Sequence, residues 1–243
     1  MFDTIILLTG PIEAGALSAS LLRYNPHLKL HTAKTLNDLD AFAPQRLRRA
    51  RLLSFASPLI VPKRVLDHLG HGGYNFHPGP PDYPGWAPAY FAAYDRATTF
   101  GVTAHVMYER VDSGPIIALD LFDVPPAISA ESLEAMAYAR MSRQFFELAK
   151  MLATSPHAPP ALPVQWCGRK RTRRQLAELC DIPVDISREE LERRMAVFSK
   201  GRLDAVPTVT LHGHEFRYSE ADTIAAAEAA KATAIAPIAA ASA

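Results

Sequence analysis

The sequence predicts an α/β fold: a doubly wound, mostly parallel sheet followed by a small α+β appendage at its C-terminal end. Three observations carry this. Over roughly the first hundred residues, short β-branched and leucine-rich runs alternate with helix-like stretches, the order that builds a parallel sheet with helices on both faces. From Gly101 the pattern changes to extended alternating runs and then one long helical stretch. A proline-rich connector beginning at Pro156 then stiffens the chain and marks a boundary before a last portion of mixed character. The expected organisation is a main domain over 1–155, a linker over 156–164, a small α+β subdomain over 165–220 and an alanine-rich tail over 221–243.

The elements follow in order. Thr4 to Thr9 reads as a buried first strand that ends at Gly10-Pro11, and a helix is expected from about Gly15 to Tyr24. His27 to Thr32 is a second short strand, and Lys34 to Phe42 is helix-like or loop. Arg51 to Ala56 is the next strand, ended by Pro58, with Pro62 opening a helix from Lys63 to Leu69 as proline does near a first helical position. Gly101 to Met107 and Gly114 to Phe122 read as strands on either side of a tight turn at Asp112-Ser113-Gly114. Glu131 to Met151 is a long helix capped by Ser129. In the appendage, Ser187 to Phe198 is an amphipathic helix and Thr208 to Tyr218 a hairpin turned at His212-Gly213. The last stretch, from Ala221, is low-complexity sequence with little to pack.

Composition narrows the function classes. The 243 residues are 49% hydrophobic and 21% charged, so a packed core can offset the ordering entropy over most of the length. A net charge of +1 gives no general electrostatic case for a nucleic-acid duplex or an anionic membrane, which points to a small partner. The two cysteines, Cys167 and Cys180, form no CxxC pair and are too few for a disulfide framework. The opening Met1-Phe2-Asp3-Thr4 and the short apolar run after it lack the basic region and length of a signal peptide, and no stretch is long enough to span a bilayer. The expected location is the cytoplasm, with no membrane association; a homodimer is left open.

The most informative stretch is Tyr74-Asn75-Phe76-His77-Pro78-Gly79-Pro80-Pro81-Asp82-Tyr83-Pro84-Gly85-Trp86. Two residues apart on an extended strand, Asn75 and His77 send an amide and an imidazole to one face. The prolines that follow forbid a regular helix or central strand, so the segment is a fixed loop, the kind of place where binding and catalysis concentrate. Asp82 and Trp86 read as loop anchors, and His105 could face either side of its strand. No GxGxxG follows the first strand, which removes the main signal for a dinucleotide-binding module.

With Val111-Asp112-Ser113-Gly114-Pro115-Ile116, these residues resemble the signature of the formyltransferase family, whose members include methionyl-tRNA formyltransferase, glycinamide ribonucleotide formyltransferase and the sugar N-formyltransferases. The family pattern runs Asn-x-His-Pro, a short loop, Pro and Gly, and then, some thirty to forty residues later, a strand ending in Asp-x-Gly-x-Ile. The resemblance covers roughly residues 1–150, and it departs at Gly79-Pro80-Pro81, where the family commonly has Ser-Leu-Leu-Pro. It implies a Rossmann-type fold and an enzyme that moves a formyl group from 10-formyltetrahydrofolate to an amine, without a metal. Acyl transfer of this kind needs an oxyanion stabilised and protons moved. This chemistry, in agreement with the resemblance, gives Asn75 as an oxyanion donor, His77 as donor or base, and Asp112 as the group that raises the imidazole's proton affinity, orients it and relays protons, with either His77 or Asp112 open as the first acceptor of the amine proton. It further implies a folate slot between Leu59, Ile60, Val61 and Pro62 on one side and Arg110 and Val111 on the other.

A small-molecule amine is the expected acceptor, with an amino sugar carried on a nucleotide among the candidates. In glycinamide ribonucleotide formyltransferase the first loop is a glycine-rich phosphate cradle. Here Gly10-Pro11-Ile12-Glu13 puts a proline without an N–H and a repelling carboxylate in that place, which argues against the purine substrate. Transfer RNA is disfavoured as a partner, because the appendage is short and the charge balanced, although Arg169-Lys170-Arg171-Thr172-Arg173-Arg174 is a basic cluster that could meet a tRNA or a diphosphate. Formyltetrahydrofolate hydrolysis, with water in place of the amine, is the alternative. The hydrolases carry an N-terminal regulatory domain for which no room is expected before Ile5.

Overall fold

The first strand shows how the sheet is built. In the computed structural model, which describes residues 2–126, 128–198 and 206–219, β1 (Thr4–Leu8) is buried along its whole length and sends successive side chains to opposite faces. Ile5 and Leu7 enter one core, and Ile6 and Leu8 enter another. A continuous apolar run is therefore what a strand covered on both sides requires.

Around it the chain lays down α1 (Pro11–Tyr24), β2 (Lys29–Ala33), α2 (Leu36–Asp40), α3 (Pro44–Leu47), β3 (Ala50–Phe55), α4 (Lys63–Leu66), β4 (Gly73–His77), α5 (Pro88–Tyr94), β5 (Thr99–Val106), β6 (Ile116–Asp123) and α6 (Ala130–Thr154). The six strands form one sheet in the order β2-β1-β3-β4-β5-β6. Pairings are parallel from β2 through β4 and antiparallel from β4 to β5 and from β5 to β6, so only β5 runs against the rest. The expected doubly wound, mostly parallel sheet is what forms.

The larger core lies between the sheet and α1, α5 and α6, where Phe55, Phe76 and Phe145 meet with ring centroids 5.0–5.9 Å apart. The smaller one gathers Leu39, Leu47, Val61 and Val65 from the segments on the opposite face. Buried without a carboxylate, Arg51 donates to the carbonyls of His71 (3.2 Å), Leu152 (2.5 Å) and His157 (2.9 Å), tying β3 to the end of α6. Its satisfied donors explain how a guanidinium survives there.

Local chemistry sets the boundaries. The first helix starts at Pro11 itself, with proline at the first helical position, not at the expected Gly15. Thr35 and Asp38 form a reciprocal capping box on α2, and Ser129 caps α6 by accepting the amide of Ser132. Both α3 and α5 are short helices opened by proline that sequence periodicity does not announce.

The chain divides into two compact units, Met1–Thr172 and Arg173–Ala243. The division falls after the expected linker: the amide of Leu162 bonds the carbonyl of Ile116 at 2.7 Å, and residues 166–171 join the first unit through bonds to the proline loop. The second unit holds α7 (Arg173–Cys180), α8 (Arg188–Phe198) and the hairpin of β7 (Thr208–Leu211) and β8 (His214–Arg217). Ser187 caps α8 at the Glu190 amide, 3.2 Å away. The expected tail, 221–243, lies outside the described residues. Among the described residues no helix is long and apolar enough to cross a membrane.

Candidate active site

The site forms where β4 meets β5. Tyr74 and Phe76 enter the larger core, which leaves Asn75 and His77 on the opposite face. Across the ladder, Asn75 stands opposite His105 and His77 opposite Thr103, so β5 adds its own polar pair to the same face. Just there the ladder between β5 and β6 slips at Ala104/His105.

The loop after His77 is held at several points. Thr103 Oγ1 donates to the Gly79 carbonyl at 2.8 Å, and the Tyr83 carbonyl lies 3.0 Å from His77 Nε2. A strap over 166–171 runs along the loop: the amides of Cys167 and Gly168 bond the Pro81 carbonyl, the amide of Arg171 bonds Pro84, and the Trp86 amide bonds Arg171. Two glycines permit this closeness. A Cβ on Gly168 would lie 1.6 Å from the Asp82 carbonyl oxygen, and one on Gly85, where φ is +99°, 2.2 Å from that of Arg171. The Asp82 carboxylate lies 3.4 Å from Cys167 Sγ, and Arg171 pairs with Asp95 at 3.1 Å.

Asp112 is the centre of the arrangement. It occupies the left-handed region (φ 48°), which aspartate tolerates better than most residues, and its side chain is 2% exposed. Its Oδ2 accepts the Gly85 amide at 2.8 Å and lies 3.7 Å from His77 Nδ1; its Oδ1 lies 3.2 Å from His105 Nε2. Burial by itself pushes this carboxyl up, but the two imidazoles and the Gly85 amide outweigh it and hold the group at about 2. Burial drives His77 below its ordinary value, against the pull of the Asp112 charge and the Tyr83 carbonyl. At neutral pH the cluster is therefore an ionised carboxylate beside an unprotonated His77.

Asn75, His77 and Asp112 thus converge, as the sequence reading expects. Two further residues join them. His105, left open by the sequence, lies 3.2 Å from Asn75 Nδ2 and points inward. The half-buried Trp166 sets its ring edge-on to both His77 (5.6 Å) and His105 (5.0 Å) and donates to the Gly114 carbonyl at 2.9 Å. No local pattern marks Trp166, since it is 52 residues from the carbonyl it holds. For His105 the signal was its position, an even number of residues from Thr103 on an alternating strand.

The residues expected to form the folate slot are distributed unevenly. Val61 is buried in the smaller core, Leu59 packs partly against it, and Ile60 is 64% exposed. Pro62 caps α4, Arg110 is exposed and Val111 half-buried. Lys63, whose ammonium donates to both carboxylate oxygens of Asp67 at 2.7 Å, also feels the charge of Glu109.

Residues 52–146 match the profile of the family described as formyl transferase. Methionyl-tRNA formyltransferase of Listeria welshimeri is 34% identical over 114 residues, which is 46% of this chain; the match spans only about a third (35%) of that protein's length. A sugar N-formyltransferase from Shewanella shares the fold with a TM-score of 0.71 at 14% identity, over 89% of this chain and 96% of that one. The N-formyltransferase of Helicobacter canadensis, solved with folinic acid and dTDP-3-aminofucose, gives a TM-score of 0.61 at 13% identity over 88% and 85%. The matched stretch contains Asn75, His77 and Asp112 and spans the strands that flank them, and over these residues the chain is similar to the formyltransferase family.

Proposed function

We propose that this chain transfers a formyl group from 10-formyltetrahydrofolate to the amine of a small molecule, with an amino sugar carried on a nucleotide as the acceptor class. The observation that carries the reading is the buried junction of Asn75, an unprotonated His77 and an ionised Asp112 beside a fixed loop. When bound, the folate supplies an activated formyl group. Asn75 is placed to donate an N–H to a carbonyl oxygen that gains charge. His77 takes up the amine proton and returns one to the folate nitrogen that leaves, its Nε2–H staying on the Tyr83 carbonyl while its protonated Nδ1 faces the Asp112 carboxylate 3.7 Å away. Asp112, held at about 2, stays ionised throughout and stabilises that charge.

The reading of a pterin slot is supported by an apolar, exposed Ile60 on the loop before α4 and by Leu59 and Met107, which both pack against the smaller core. Support for a small acceptor is of two kinds. The fold likeness covers 96% of the Shewanella sugar N-formyltransferase. In addition, Glu13 accepts from Tyr138 at 3.0 Å, and its Oε2 lies 2.8 Å from where a Cβ on Gly10 would stand, which puts negative charge at the start of α1 where a phosphate cradle would need none.

The deciding experiment incubates the full chain and 10-formyltetrahydrofolate with nucleotide-linked amino sugars, glycinamide ribonucleotide or charged initiator tRNA, and follows tetrahydrofolate release. Release that depends on an amino sugar supports the proposal. Efficient formylation of the tRNA would establish the second reading, favoured by the Listeria similarity, and equal release without any acceptor would establish hydrolysis. Hydrogen exchange with a folate analogue tests the slot, with protection expected over 57–62 and 107–114.

A further inference from the structure

We infer that Trp166 is a fixed wall that shuts bulk water away from His77, His105 and Asp112, and that it thereby favours an amine over water as the acceptor of the formyl group. The effect on the acceptor rests on the formyl-transfer reading; the wall itself rests on geometry.

Water and an amine compete for one carbon. When an amine attacks, a C–N bond forms, the bond to the folate nitrogen breaks and the proton lost by the amine ends on that nitrogen, giving a formamide and tetrahydrofolate. When water attacks, a C–O bond forms instead and the products are formate and tetrahydrofolate. An oxyanion donor and a base assist both attacks alike, so Asn75, His77 and Asp112 do not choose between them. Water is in large excess over any amine, and the choice falls to what keeps it out.

The wall is visible in how the rings are covered. The side chains of His77, His105 and Asp112 are 5%, 3% and 2% exposed, whereas Trp166 is half-buried, with its ring edge-on to both imidazoles at 5.6 and 5.0 Å. The indole has one hydrogen-bonding atom, Nε1, and it is spent on the Gly114 carbonyl at 2.9 Å, so the ring offers water no partner. The same bond fixes the ring to the turn that carries Asp112. The chain on either side is anchored too. The Leu162 amide bonds the Ile116 carbonyl at 2.7 Å and the Gly168 amide that of Pro81 at 3.0 Å, while Arg171 pairs with Asp95 and sets its guanidinium 4.8 Å from the Phe91 ring centroid. Of the four polar residues only Asn75 is half-buried, which leaves the approach for reactants over the amide proposed to receive the formyl oxygen.

The test compares the full, ligand-free chain with Trp166→Ala and Trp166→Phe. Diethyl pyrocarbonate, which acylates accessible imidazoles, is applied at about pH 7 and each histidine is scored by peptide mass spectrometry. In the wild-type chain His77 and His105 should be protected beside the exposed His27 and His157. Both should react about tenfold or more faster in Trp166→Ala and stay near the wild-type rate in Trp166→Phe, which keeps an aromatic edge. In turnover, the ratio of acceptor-free tetrahydrofolate release to formyl transfer should rise about tenfold in Trp166→Ala. His77 and His105 as protected in Trp166→Ala as in the wild-type chain overturn the inference whatever the activity, and so does an unchanged ratio once protection is lost. Where Trp166→Ala does not fold and every histidine reacts alike, Trp166→Leu decides on the same two readouts. A chain that transfers no formyl group yet loses this protection in folded Trp166→Ala sinks the proposed reaction and leaves the wall standing.

Discussion

Asp112 concentrates the demands on single residues: a left-handed backbone, an almost fully buried carboxylate and contacts to two imidazoles and an amide. Asp112→Asn keeps the size but removes the charge, and Asn75→Ala removes the oxyanion donor of the proposed reaction. Each should lower kcat by about 10²–10³ while a folate analogue still binds, as expected of groups that act mainly in the transition state. Single-turnover rates beside a binding titration check this, and near-normal transfer by folded Asp112→Asn would place the chemistry elsewhere. The pH profile follows from His77. Its value in the folded chain lies below the ordinary 6.5, so the proton acceptor stays available into mild acid. The acid limb of kcat/KM, which reports the free enzyme, should fall below pH 6.5, and a limb above that value would mean that another group takes the proton. At this scale the placing of Asn75 and His77 on one strand face was legible in their spacing, and Asp112 entered through the resemblance to the formyltransferase signature, whereas Trp166 and the inward face of His105 depend on contacts between distant segments.

Among the elements, β4 and β5 do the most for function by alternation alone: one face enters the larger core and the other presents Asn75, His77, Thr103 and His105. Strand periodicity made this readable, and the caps at Ser129 and Ser187 were equally local. The strap over 166–171 was not readable, since its register on the proline loop is set by backbone hydrogen bonds and by the absence of a Cβ at Gly85 and Gly168. Gly85→Ala tests that coupling. Its φ of +99° and the approach to Arg171 should cost about 1–3 kcal/mol in urea unfolding. Displacement of the amide that bonds Asp112 at 2.8 Å should lower kcat as well. Loss of stability with kcat intact would show that the Gly85 amide is not needed by the carboxylate.

For the whole molecule, the buried cluster makes stability depend on acid. The unfolded chain binds a proton at His77 that the folded chain resists, so this contribution is complete above pH 6.5 and declines as pH falls below it. Asp112, lowered from 3.8 to about 2, adds stability that is present above 3.8 and lost as pH falls toward 2. Urea midpoints between pH 8 and pH 3 should therefore decline in two stages, and the later one, to which Asp3 and Asp38 also contribute, should be smaller in Asp112→Asn. The sequence by itself determined the α/β class, the order of the main strands and longer helices, the two-residue pairing of Asn75 with His77 and the turn at Asp112, because local periodicity, proline and glycine placement and side-chain chemistry act over a few residues. Only the tertiary structure decided that β5 alone runs against the sheet, that the segment after α6 packs with the first unit, and that His105 and Trp166 close the site. Those outcomes rest on which distant surfaces bury each other and which buried polar atoms find partners, and these are properties of the packed chain that no local window contains.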